Sequence, residues 1–164
     1  MMRTLSLPLL LLIFFSEASA FQMGPSWKII DDGPRSKVWL YTKDQEVSAS
    51  YQELAFSKNV PRSTSERETY LQSVEKEKGD FLAFLGISDW TPRSHRWSHG
   101  DGSTELILDG TYRDVEGRLV DFSELHIFRP QMVLQGLFTR PHARTLPTQI
   151  KDDFLNRIRK PIKR

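Results

Sequence analysis

Between residues 90 and 139 the chain repeats one rhythm, and that rhythm restricts the fold more than any other feature. Four strand-like segments, 90–99, 104–113, 118–129 and 132–139, are separated by Gly100-Asp101-Gly102, by Asp114-Val115-Glu116-Gly117 and by Pro130-Gln131. A parallel crossover needs a dozen or more residues, so connections this short join antiparallel neighbours. A four-stranded meander is therefore expected. Upstream, 27–31 and 37–42 read as strands around the turn Asp32-Gly33-Pro34, and 47–56 reads as a further, more dilute strand. Within 37–42, Val38, Leu40 and Thr42 share one face and Lys37, Trp39 and Tyr41 the other. Large groups on both faces predict a strand covered on both sides. In 118–129, Val120 and Phe122 fall on one side and Leu125 and Ile127 on the other, which predicts a bulge near Ser123.

Two segments carry helical periodicity. Ser65 followed by Glu68 fits a capping box, and Tyr70, Leu71, Val74, Phe81, Leu82 and Leu85 recur at three and four residues. A helix over 66–85 follows, weakened at Gly79 and stopped by Gly86. Near the end, Thr148 is placed to cap a second helix whose stripe is Ile150, Phe154, Leu155 and Ile158, ended by Pro161. The predicted class is α+β: a twisted antiparallel sheet of six or seven strands, with a long central helix and a C-terminal helix packed on it. Its expected core comprises Trp39, Leu71, Val74, Phe81, Leu85, Leu106, Leu108, Val120, Phe122, Leu134, Phe154 and Ile158.

Residues 1–20 read as an address rather than as structure. Met1-Met2-Arg3, an apolar run from Leu5 to Phe15, and Ala18-Ser19-Ala20 form the three parts of a cleavable secretory signal. The run is too short for a bilayer core that needs about twenty apolar residues. Three parts are expected: a signal over 1–20, one domain over 21–160 and a basic tail over 161–164. The chain of 164 residues contains no cysteine. Small secreted domains of animals are usually disulfide-built, so export to a bacterial periplasm or medium is the expectation. Neither Asn59 nor Asn156 begins a glycosylation acceptor. With a net charge of +2, the composition argues against nucleic acid as partner. The positive charge is local: Arg157, Arg159, Lys160, Lys163 and Arg164 crowd the end.

The layout resembles the Mog1/PsbP-like group of small α/β/α sandwiches. The likeness rests on Trp27 opening the first strand, the long helix before the meander, the segment Leu108-Asp109-Gly110-Thr111-Tyr112, the turn at Gly117 and the closing helix. The resemblance implies a non-catalytic accessory or binding role and transfers no site residue. A cystatin-like or nuclear-transport-factor-like sheet wrapped on one helix uses many of the same signals.

Candidate chemistry is sparse. Trp90, Arg93, Arg96 and Trp97 form a binding candidate, since Trp and Arg dominate interaction hot spots. Arg140 and Arg144, in the loop after the meander, form a second, anion-attracting candidate. His95 and His99 share a strand face but stand about 13 Å apart on an extended chain, too far for one metal ion to bridge. Glu124 and His126 also share a face, and His126 is placed to pair with a carboxylate on a neighbouring strand such as Asp109. No Gly-x-Ser-x-Gly elbow or cysteine nucleophile accompanies them. No cofactor or metal is expected. The sequence thus points to an exported, non-catalytic module that binds a protein, lipid or glycan of the cell envelope. The alternative is a small secreted hydrolase or metal enzyme using His95/His99 or Glu124/His126.

Overall fold

The computed structural model describes residues 23–56, 59–100 and 103–160. The expected signal and the basic tail lie outside them. Seven strands and two helices follow in the order β1 (Trp27–Asp32), β2 (Ser36–Tyr41), β3 (Asp44–Ala55), α1 (Thr64–Phe84), β4 (Ser88–Gly100), β5 (Ser103–Arg113), β6 (Leu119–Arg129), β7 (Met132–Pro141) and α2 (Thr148–Arg159). They build one antiparallel sheet in the spatial order β1-β2-β3-β7-β6-β5-β4. The α+β class with a long central helix and a C-terminal helix is what the sequence predicts. The crossover is α1: it carries the chain from β3 to the far edge, and the meander walks back until β7 pairs with β3.

The two helices lie over opposite faces of the sheet. Beneath α2 are Trp39, Tyr41, Val47, Ala49, Tyr51, Ile107, Leu125, Ile127, Leu134 and Phe138, closed by Phe154, Leu155 and Ile158. Beneath α1 are Leu106, Leu108, Phe122, Phe128 and Val133, with Tyr70, Leu71, Val74, Trp90 and Trp97 packed around them. Both layers depend on a glycine. A Cβ at Gly136 would stand 1.9 Å from Ile158 Cδ1, so its absence lets α2 settle onto β7. A Cβ at Gly110 would meet the Thr91 carbonyl and the Phe122 ring.

The doubly covered sheet corrects the bulge expected near Ser123. Strand β6 pairs with β5 and β7 in unbroken register. Its apolar face does not switch. Val120, Phe122, Glu124, His126 and Phe128 all face α1, and Leu125 and Ile127 face α2, because both sides are buried. The register shifts fall elsewhere, at two places in β4 among others.

Three local readings also change. The capping box is Ser63 with Glu66, since Ser63 has the extended backbone a cap requires and accepts from the Glu66 amide. At the other end Gly86 stops the helix as the sequence predicts: it adopts φ 77°, and the amides of Gly86 and Ile87 close onto Ala83 and Leu82 in a Schellman ending. Thr148 does not cap α2; the cap position is Pro147, which has no side-chain acceptor to offer. Finally, Phe81 and Leu85 are not core residues: they are 59% and 45% exposed. They share an angular face with Val74, but a helix of 21 residues is about 31 Å long and its last turn overhangs the sheet. Leu71, Val74 and Val120 are half-buried rather than fully enclosed.

Replacing Phe154, which is fully buried, with alanine should cost about 3–5 kcal/mol in urea unfolding. The same change at Phe81 should stay within about 0.5 kcal/mol. Equal costs at the two positions would contradict the placement of α1.

Candidate functional site

The face beneath α1 contains a buried chain of polar groups. Strand alternation puts Glu124 and His126 side by side, 1% and 0% exposed. His126 Nε2 lies 2.8 Å from Glu124 Oε1, and its Nδ1 lies 2.7 Å from the Tyr70 hydroxyl on α1. Lys78, two turns further along α1, donates to Glu124 Oε2. A carboxylate only accepts, so Nε2 carries the proton and Tyr70 donates to Nδ1. Burial, with the Glu124 charge, pushes the Tyr70 phenol far above its ordinary value and keeps it a donor. Burial alone would raise the Glu124 carboxyl, but the His126 hydrogen bond and the Lys78 charge outweigh it and hold it down at about 2. His126 therefore pairs on its own strand and not with Asp109, which lies on the opposite face and accepts from Ser123.

The aromatic strand is divided between the two faces. Trp97 stacks on Phe128 at 5.8 Å, with Arg67 over it at 5.5 Å from the ring centre, and Trp90 stacks on Phe122 at 5.7 Å. Both indoles thus pack on the core beneath α1. Arg96, opposite Ile107, sits on the other face. His95 is exposed, while His99 has both ring nitrogens engaged, Nε2 by Arg67 and Nδ1 with Thr104. Among the described residues no group of three or more His, Cys, Asp or Glu is arranged to hold a metal ion.

On the α2 side, a cavity of about 390 Å³ opens between β4, β5, β6 and the first turn of α2. The shift in β4 between Pro92 and Ser94 turns Arg93 toward it, and Arg140 reaches it from β7. Two candidates 47 positions apart in sequence thus meet at one opening. Arg144 does not join them; it pairs with Asp44 and Glu46 near the β2–β3 turn. Lys151 of α2 completes the basic lining, a contribution that periodicity could not reveal because Lys151 reads as an ordinary helix-surface lysine. Asp121 is held by Arg140 at 3.2 Å and by His142 at 2.7 Å.

No protein-family model matches the chain, and no curated protein matches it. Solved structures do share its fold. A Pseudomonas aeruginosa protein of unknown function, PA94, described as a putative regulator, superposes with a TM-score of 0.51 at 16% identity, over 87% of this chain and 86% of that one. The cyanobacterial PsbP (CyanoP) of Synechocystis sp. PCC 6803 superposes with a TM-score of 0.55 at 12% identity, over 80% and 78%. The architectural resemblance to PsbP-like proteins therefore holds.

A carboxylate with a depressed native pKa contributes stability above its unfolded value, near 4.5, and loses it as pH falls toward 2. Glu124→Gln should lower stability at neutral pH by roughly 3 kcal/mol, the low end for breaking a buried pair because Lys78 is partly solvated. It should also flatten the acid limb between those two values. Urea unfolding at pH 7, 5 and 3 checks both; a variant that matches the parent at pH 7 would refute the role given to the chain of groups.

Proposed function

We propose that this chain is an exported accessory module of the bacterial envelope or medium that binds its ligand without transforming it. The observation that carries the reading is a division of the chemistry. The groups able to move protons, Tyr70, His126 and Glu124, are sealed beneath α1 with each polar atom partnered. The open cavity offers guanidinium, ammonium and hydroxyl groups but no imidazole beside its serines. A serine next to a carboxylate without a base between them lacks the means to become a nucleophile. The cavity is of ordinary ligand-site size. The PsbP-like architecture, and the description of the Pseudomonas neighbour as a putative regulator, agree with an accessory role.

Two measurements test this. Mass spectrometry of the native protein should find Phe21 at the N-terminus; an intact Met1 would overturn export. Chromogenic ester, phosphate and glycoside substrates should give no turnover above background. Turnover that disappears in His126→Gln would restore the hydrolase reading.

A further inference from the structure

The cavity beside α2 is lined by Arg93, Arg140 and Lys151 against two carboxylates, Asp109 and Asp121. The carboxylates are already engaged: Asp121 by Arg140 and His142, and Asp109 by the Ser123 hydroxyl, with the Lys151 ammonium 3.8 Å away. Arg93 makes no ion pair with any described residue, so one positive charge at the rim is unanswered. A second, independent sign lies on the floor. Thr111 is 5% exposed, yet its hydroxyl has no hydrogen-bond partner among the described residues and faces the cavity. That hydroxyl is open to the cavity space and free to donate to a ligand there in place of water. The first turn of α2 borders the same space and carries no capping side chain and no acidic residue of its own.

We infer that this cavity is a binding site for a small oxyanion, a phosphate or carboxylate group held between Arg93, Lys151 and the Thr111 hydroxyl. The inference rests on the binding-module reading and names the ligand chemistry of its cavity. Arg93 supplies a planar fork suited to two oxygens, and Lys151 a compact charge. Arg140 is spent on Asp121 and serves to neutralise it. Phe138, Leu146 and Pro147 give the lining an apolar side that would accept the carbon skeleton of an organic anion.

Heteronuclear NMR titration of the isotope-labelled protein at low salt, with inorganic phosphate, acetate and glucose in parallel, tests the site. Phosphate or acetate should shift the amides of Gly110, Thr111, Ser123, Thr148 and Lys151 together and saturably, and the stronger of the two identifies the anion class. Arg93→Ala, which removes an exposed side chain and leaves the fold intact, should weaken that binding about tenfold, the loss expected for one charge-assisted contact. Lys151→Ala should act likewise. Anion shifts confined to the C-terminal arginines, or affinity unchanged in both variants, would overturn the proposal. Glucose occupying the cavity while the anions do not would overturn the anion class and leave the binding-module reading standing. Failure of all three probes to enter would overturn both.

Discussion

The hydrogen-bonded chain from Tyr70 through His126 and Glu124 to Lys78 is the constraint on which the arrangement of the molecule depends. No residue of α1 is fully buried, so the helix cannot be held by apolar contact in the way α2 is held by Phe154, Leu155 and Ile158. What fixes it is a pair of polar anchors two turns apart, each ending on the same strand of the sheet. The aromatic layer of Phe56, Tyr70, Trp97 and Phe128 surrounds one anchor and keeps it dry; Tyr70 and Phe128 approach to 4.8 Å between ring centres. Low local dielectric strengthens such bonds and makes each partner expensive to lose. Glu124 and His126, a catalytic candidate in the sequence, thereby commit their hydrogen bonds to each other and to α1.

That commitment separates the two faces of the sheet by role. One face is filled by the polar chain and its aromatic surround. The other packs α2 against β7, with Gly136 allowing close approach, and leaves room at the first turn of the helix. Strand β4 serves both: Trp90 and Trp97 pack on the first face, and the register shift after Pro92 gives Arg93 to the second. An interrupted edge strand is a common way to re-aim one side chain without disturbing the rest of a ladder.

Much of the architecture was legible because it follows from turn chemistry and periodicity. The meander is written in Gly117 and in the Pro130-Gln131 turn, and α2 in the spacing of Phe154, Leu155 and Ile158. What stayed hidden depends on distance. Periodicity puts Phe81 and Leu85 on the face of Val74 but does not say where the sheet beneath them ends. Glu124 and His126 read as a polar pair on a strand, and nothing near them in sequence announces Tyr70 and Lys78 as their partners. The apparent change of apolar face in β6 arises from the same pair standing in an otherwise apolar row. Arg93 and Arg140 were both visible as candidates, yet only the fold puts them at one opening, and only the fold sends Arg144 elsewhere.

The central claim is that the polar anchors, added to the partial burial of Leu71 and Val74, decide how α1 seats on the sheet. Native-state amide hydrogen exchange of the parent and of Glu124→Gln at one pH tests it most directly, since exchange reports local opening element by element. The account predicts that α1 amides lose protection in the variant by far more than those of α2 or of β5 to β7. Uniform loss across all elements, or α1 protection equal to that of the parent, would contradict it.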